Sequence, residues 1–100
     1  MTEALTQEAF ADQIDTKFTL VVEGLDPIEL KLSRVSDLTV SNGAEGFSIV
    51  FKGSGEFVLR QSTYRLEHDV MGAFEILLVP IGKDEQGVDY EAVFNRLKAR

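Results

Sequence analysis

His68 is the only histidine in the chain of 100 residues, and it stands between two carboxylates, Glu67 and Asp69. An imidazole titrates near neutral pH, so a histidine oriented by a carboxylate is a candidate general base. In a β-strand, however, neighbouring side chains point to opposite faces, which would separate both carboxylates from the imidazole. The nearby hydroxyls of Ser62 and Thr63 lack a nucleophile-elbow motif. We therefore predict no catalytic residue and interpret His68 as a turn residue that bonds backbone, with ligand binding as the alternative.

The candidate binding residues are Tyr64, Arg65, Glu67 and His68. Tyr64 and His68 would act as polar handles for a ligand held in a cavity among the phenylalanines. Arg65 and Glu67 fall on the same face of a strand, where an exposed ion pair contributes ~0 to 1 kcal/mol to stability. The same segment therefore supports both a binding function and a purely structural one.

Neither a metal nor a cofactor is predicted. Zinc and iron sites need several His or Cys ligands, and the chain has one histidine and no cysteine. The acidic residues Asp84, Glu85 and Asp89 do not have the spacing of a calcium loop, so we interpret them as a solvated turn. The "GSG" at 53–55 is interpreted as a flexible turn rather than a phosphate cradle, because the residues after it have an extended pattern.

The charge balance argues against nucleic acid and anionic membranes as partners. Seventeen acidic residues against ten basic ones give a net charge of -7. No stretch approaches the ~20 apolar residues that span a bilayer, and the acidic N-terminus is unlike a signal peptide. We expect a cytoplasmic protein, or one exported without a cleaved signal peptide. The basic residues Arg96, Lys98 and Arg100 are interpreted as a solvated tail.

The N-terminal third predicts a short helix followed by a β-hairpin. Thr6 is a good N-cap for a helix over 6–14, which would serve as a lid on one end of a barrel or as a partner-facing element. From Lys17 to Ser33 apolar residues recur at every second position on either side of the turn "EGLDP". This alternation indicates a hairpin with one buried face.

The middle of the chain has weaker signals. Residues 36–46 are predicted to be a loop in which Asn42 and Gly43 tolerate positive φ. A strand is predicted over 47–52, and Phe57 and Leu59 suggest another whose end nothing marks.

The segment 63–80 is predicted to be a second hairpin, connected by "HDVMG". Asp69 would bond its own backbone there, and Gly72 would take a left-handed conformation. The apolar run Ile76 to Val79 suggests a strand buried on both faces, and Pro80 should lie at a strand end or edge. Residues 88–98 fit either a strand or a helix, and the preceding turn favours a strand to about Asn95.

These elements predict one domain over 1–100, with a β region of about 17–95 and a basic tail at 96–100. The fold class is mainly β (α+β): a small antiparallel β-barrel, or two packed sheets, of six or seven short strands with one short N-terminal helix. Five phenylalanines recur at strand period and are assigned to the core: Phe18, Phe47, Phe51, Phe74 and Phe94.

Several motifs carry a family resemblance. The runs "YRLEH", "LVPIG" and "YEAVFN", with "GFSIVFKG" and "LTQEAFADQI" before them, resemble a family of uncharacterised small bacterial proteins classed as a domain of unknown function. The resemblance covers nearly the whole chain and departs at "GEFVLRQS", where relatives are richer in proline and glycine. It implies no catalytic residues, and it implies a role in assembly or interaction, because members sometimes lie near phage-tail-like or collar-type fibre proteins.

Two functions from different classes remain open. The first is a non-catalytic interaction or assembly module that binds an unknown protein partner through strand edges or a rigid face. The alternative is a small-molecule-binding barrel with weak enzymatic activity. A packed interior would count against the alternative, and a cavity of ~300 Å³ or more with convergent polar groups would favour it. The sequence predicts no oligomeric state.

Overall fold

The computed structural model describes residues 5–97, which form one short helix and seven strands. The elements are α1 (Gln7–Ala11), β1 (Lys17–Val21), β2 (Ile28–Val35), β3 (Thr39–Ser41), β4 (Ala44–Gly53), β5 (Ser62–His68), β6 (Gly72–Asp84) and β7 (Gly87–Leu97). The strand order is β2-β1-β5-β6-β7-β4, and a further pairing between β2 and β4 closes the ring. β3 adds to the outer edge of β4. The predicted small antiparallel barrel is confirmed.

Helix α1 begins as its sequence indicates but ends early. The Thr6 hydroxyl accepts a hydrogen bond from the Ala9 amide at 3.1 Å, as expected of an N-cap. The helix ends at Ala11, so the predicted span of 6–14 is too long. Asp15 has a φ of 74°, and its amide donates to the Leu32 carbonyl at 2.8 Å. That bond ties the chain to β2 shortly after the helix ends.

The first hairpin is confirmed. β1 pairs with β2 from Lys17 opposite Lys31 to Leu20 opposite Ile28. Phe18 and Leu20 are fully buried, while Lys17 and Val21 are exposed. Period-two alternation therefore located the inner face of these strands correctly.

The loop predicted over 36–46 is partly wrong, because β3 and the start of β4 form a small hairpin within it. Ser41 pairs with Ala44 across a two-residue turn made of Asn42 and Gly43. Their φ angles are 53° and 79°, so the predicted tolerance of positive φ is confirmed. Two consecutive left-handed residues match the twist of flanking strands, which is why Asn-Gly forms hairpins.

The strand suggested around Phe57 and Leu59 is absent. Residues 54–61 lie outside the strands, between the end of β4 and the start of β5. Leu59 nevertheless packs against the core, and its amide donates to the Tyr90 hydroxyl at 2.8 Å. The apolar residues here mark a segment that is tethered to the barrel rather than a strand.

Strand β6 corrects one expectation and agrees with another. Ile76 and Leu78 are buried but Leu77 is 48% exposed, so the apolar run has one buried face rather than two. Pro80 lies within β6, where the β6–β7 register shifts between Pro80 and Gly82. Because the pairing of β6 with β5 ends at Leu78, Pro80 lies on a locally open edge inside a continuing strand.

Strand β7 decides the ambiguity at the C-terminus. It runs from Gly87 to Leu97, with Val88, Tyr90 and Ala92 buried, as the strand interpretation predicts. Arg96 belongs to this strand, and its Nε lies 3.5 Å from Glu45 Oε1. The rest of the predicted basic tail, 98–100, lies outside the described residues.

The inside of the barrel is filled by side chains. Its fully buried members are Phe18, Leu20, Leu30, Leu32, Ile49, Phe51, Leu66, Leu78, Val88 and Tyr90. From α1, the buried Phe10 packs against four further rings, with centroid distances from 5.4 Å to Phe94 to 6.4 Å to Phe18. Phe47, Phe74 and Phe94 are only partly buried. Phe10 therefore makes α1 a lid on one end of the barrel.

Among residues 5–97, the structure has no helix with the length and apolar surface needed to cross a bilayer.

Candidate functional site

His68 links the β5–β6 turn to the segment between α1 and β1. Its Nδ1 accepts hydrogen bonds from the amides of Val70 at 3.0 Å and Met71 at 3.1 Å. Its Nε2 lies 2.9 Å from the Thr16 hydroxyl, which donates its own proton to the Gln13 carbonyl at 2.7 Å. This network assigns the proton of the neutral imidazole to Nε2, since Nδ1 receives two N–H groups.

The same network makes His68 a poor general base. Burial lowers the pKa of the imidazole below its ordinary value, and the charge of Asp69 opposes that shift. The ring also lies against Phe18, with 4.1 Å between centroids. The basic lone pair on Nδ1 is occupied by the turn amides, so accepting a proton there would break the turn. The backbone-bonding role predicted for Asp69 belongs to His68.

The four predicted binding residues divide between the two faces of β5. Tyr64 and His68 are half-buried, and the Tyr64 hydroxyl donates to the Arg60 carbonyl at 2.7 Å. Arg65 and Glu67 are exposed on the opposite face, where Arg65 Nε lies 3.3 Å from Glu67 Oε2. The strand therefore does not bring all four side chains to one place. A binding role for them stays a prediction.

The acidic residues of the β6–β7 turn surround a lysine. Lys52 Nζ lies 3.1 Å from both carboxylate oxygens of Asp84 and 2.9 Å from Asp89 Oδ1. The pKa of Lys52 is raised on balance. The hydrogen bond to Asp89 raises it most, burial lowers it, and Asp84 raises it further. The Gln86 amide, followed by Lys52, lowers the pKa of Asp84. Two of the three predicted acidic residues thus form a link between β4 and the β6–β7 hairpin.

Neither this cluster nor any other in the described part of the chain gathers a set of metal ligands. Within residues 5–97, no group of three His, Cys, Asp or Glu side chains is arranged to hold an ion.

A second concave surface is an open groove of about 1020 Å³, here called the β2 groove. One wall is the start of β2 with the turn before it, and the other is the segment that follows β4. Its lining residues are Asp15, Lys17, Leu25, Asp26, Pro27, Ile28, Glu29, Leu30, Lys31, Lys52, Ser54, Glu56, Phe57 and Leu59.

The β2 groove exists because β2 and β4 pair along only part of their length. β2 begins at Ile28, but its pairing with β4 begins at Lys31 opposite Lys52. Residues 28–30 therefore pair with β1 on one edge and with no described strand on the other. An unpaired strand edge offers backbone N–H and C=O groups to another chain.

The far wall of the groove is held by a buried phenol. Tyr90 is fully buried, and its hydroxyl accepts the Leu59 amide at 2.8 Å. The Ser54 hydroxyl accepts the Glu56 amide at 3.0 Å at the start of the same wall. No sequence pattern predicted this site, and its only signal is the loss of alternation after the "GSG" turn.

Apolar side chains on both walls of the groove are open to solvent. Leu25 is 62% exposed on the β2 side, and Phe57 is 41% exposed on the opposite side. Leu30, which is buried, lines the groove between them. A concave apolar surface beside a free strand edge has the features of a peptide-docking site.

The family model described as a domain of unknown function (DUF6916) matches residues 5–94. The chain belongs to this family. The match runs from before α1 into β7, so the His68 turn and the β2 groove both lie within the DUF6916 domain. No curated protein and no solved structure matches the chain.

Proposed function

We propose that this DUF6916 domain is a non-catalytic protein-interaction module that binds an extended segment of another protein in the β2 groove. The observation that carries the proposal is the unpaired edge of β2 at residues 28–30, placed along a groove with apolar walls. A segment added there would gain backbone hydrogen bonds from the edge and side-chain packing from the walls.

The groove favours a strand whose residues alternate in character. Leu30 and Leu59 line its inner side, whereas Glu29, Lys31 and Glu56 bring charge to it. Successive side chains of an added strand point to opposite faces, so one set would pack on the leucines and the other would meet the charges. The proposed occupant is therefore an extended segment with alternating apolar and polar residues.

The packing of the barrel favours this proposal over a small-molecule-binding barrel with weak enzymatic activity. The side chains that would line an interior site are themselves the fully buried core, and Phe10 covers one end. His68, a polar handle of that alternative, has both ring nitrogens engaged in hydrogen bonds. The family resemblance makes tail-fibre-like proteins the first partners to examine for an assembly role.

The experiment is selection of random peptides displayed on phage against the purified protein, followed by affinity measurement with fluorescein-labelled synthetic copies. We expect Leu25→Ser and Phe57→Ser each to weaken binding by about fivefold or more, because each removes an exposed apolar contact at one wall. Val70→Ser is the matched control, since Val70 is also an exposed turn residue but lies outside the groove.

Urea unfolding of each variant would establish that all three proteins remain folded. Selected peptides whose affinity is equally insensitive to Leu25→Ser and Phe57→Ser would place binding elsewhere and contradict the proposal. Failure to select any peptide above background would contradict it as well.

A further inference from the structure

The β2 groove is blind at one end. β2 and the end of β4 converge where Lys31 pairs with Lys52, and the two strands continue as a paired sheet from there. At the other end, Pro27 and Phe57 stand on walls that no described strand joins. A segment lying along residues 28–30 cannot continue as an added strand past Lys31, because β4 already occupies that edge. The blind end suits a chain terminus.

Three lysines lie side by side at the blind end. Lys17 on β1 pairs in register with Lys31 on β2, which pairs in turn with Lys52 on β4. All three line the β2 groove. Like charges directly opposite each other destabilise a sheet unless carboxylates lie beside them.

Of the three lysines, only the middle one has no ion pair with another described residue. Lys17 lies 3.7 Å from Glu29, and Lys52 is held by Asp84 and Asp89. Lys31 is exposed and takes part in no ion pair with any of residues 5–97. Within the described part of the chain, its ammonium group is therefore available to an anion at the blind end.

All the basic residues that line the groove belong to the lysine row at its blind end. At the blind end the three lysines stand with two carboxylates, Asp15 and Glu29. Towards the open end the charged residues are Asp26 and Glu56, both acidic. A segment with a negative group at Lys31 would place that group beside the lysine that has no ion pair among the described residues, and away from Asp26 and Glu56.

We propose that the occupant of the β2 groove is the C-terminal tail of a partner protein, with its free carboxylate at Lys31. The tail would enter at the open end and run parallel to β2, with alternate apolar side chains packed against Leu30 and Leu59. This inference rests on the proposed function and adds the class of partner segment. A strand that adds to the free edge and ends in a carboxylate would account for three features together: the blind end, the free edge and the lysine without a described ion pair.

The test compares two phage libraries of random dodecapeptides, one displayed with a free C-terminus and one displayed internally. Peptides selected from the first library are then synthesised as fluorescein-labelled pairs that differ only in ending as a carboxylate or a carboxamide. We expect the carboxamide to bind about tenfold more weakly, since it lacks the charge that Lys31 meets. Lys31→Met should weaken the carboxylate peptide to the same extent and abolish the difference within the pair.

Arg34→Met is the matched control, because Arg34 is an exposed cation on β2 outside the groove. We expect it to preserve the preference for the carboxylate. Equal affinities within each pair, with Leu25→Ser still weakening both peptides, would overturn the terminal-carboxylate inference and leave the interaction module standing. Peptides whose affinity changes with neither Leu25→Ser nor Phe57→Ser would overturn both this inference and the proposed function.

Discussion

A single side chain, His68, organises two separate parts of the backbone. Its Nδ1 accepts the Val70 and Met71 amides, and its Nε2 contacts the Thr16 hydroxyl. These bonds satisfy both ring nitrogens and leave no lone pair for chemistry. The residue with the most catalytic character in the sequence is therefore a structural residue in the fold.

Replacing His68 should measure that structural role. We expect His68→Ala to reduce the free energy of unfolding by about 1 to 3 kcal/mol, because two turn amides and one hydroxyl lose their partner. Urea unfolding followed by circular dichroism gives the value. Asp69→Ala is the control, and as an exposed neighbour it should change stability by less than about 0.5 kcal/mol. Equal effects of the two substitutions would contradict the role assigned to the imidazole.

The lowered pKa of His68 predicts a pH dependence of stability. The unfolded chain binds a proton near the ordinary pKa of 6.5, whereas the folded protein binds it only at lower pH. The stabilisation from neutral His68 is thus complete above pH 6.5 and is lost as pH falls through the folded pKa. The difference in unfolding free energy between the wild type and His68→Ala should shrink over that interval.

Nuclear magnetic resonance titration of the imidazole gives the folded pKa directly, and its midpoint should lie below 6.5. The charged residues that line the same depression as His68 are Lys17, Glu67 and Asp69. Because Asp69 raises the pKa, Asp69→Asn should move the midpoint still lower. A midpoint above 6.5 in the wild type would contradict the lowered pKa of His68.

Among the elements, the segment 54–61 shows how a groove wall can form without a strand. The Tyr90 hydroxyl holds the Leu59 amide, and the Tyr64 hydroxyl donates to the Arg60 carbonyl. Side chains projected from β7 and β5 therefore fix a segment that has no ladder of its own.

Removing the Tyr90 hydroxyl should loosen this wall and leave the barrel in place. We expect Tyr90→Phe to reduce stability by about 1 kcal/mol and to speed hydrogen exchange of the Leu59 amide, which loses its acceptor. Tyr64→Phe is the matched control, since it removes the other tyrosine hydroxyl and leaves the hydrogen bond between Tyr90 and Leu59 intact. Unchanged protection of the Leu59 amide in Tyr90→Phe would show that the segment is held by packing alone.

The sequence pattern predicted strands well where one face of the strand is buried. It predicted poorly where a segment is held by side-chain hydrogen bonds instead of strand pairing. Alternation located Phe18 and Leu20 in β1 and favoured a strand for residues 88–98. It failed at Phe57 and Leu59, whose apolar character serves a loop held by Tyr90, a residue 31 positions from Leu59. The β2 groove was equally out of reach, because it depends on where two distant strands stop pairing.

For the whole molecule, the fold class followed from the number and spacing of short apolar strands, and the closed barrel bears it out. The predicted helix contributes one decisive side chain, Phe10, which packs among Phe18, Phe47, Phe74 and Phe94. Closure of one barrel end thus depends on a residue from outside the β region.

Phe10→Ala should be the most damaging of the substitutions considered. We expect a loss of about 3 to 5 kcal/mol in unfolding free energy, because a large cavity would open among rings that cannot all collapse into it. The measurement is urea unfolding, with Val93→Ala as the control for an exposed apolar residue of β7. A loss below about 1 kcal/mol would mean that α1 rests on the barrel without closing it.

The order of strands around the ring also bears on how fast the protein can reach this structure. β1 pairs with β5, which places Thr19 opposite Glu67, and β2 must then meet β4 to complete the circle. Such pairings join distant parts of the chain, and the entropy of closing those loops is lost before the contacts repay it. We expect refolding from urea in milliseconds to seconds, with the hairpins forming long before the ring is complete.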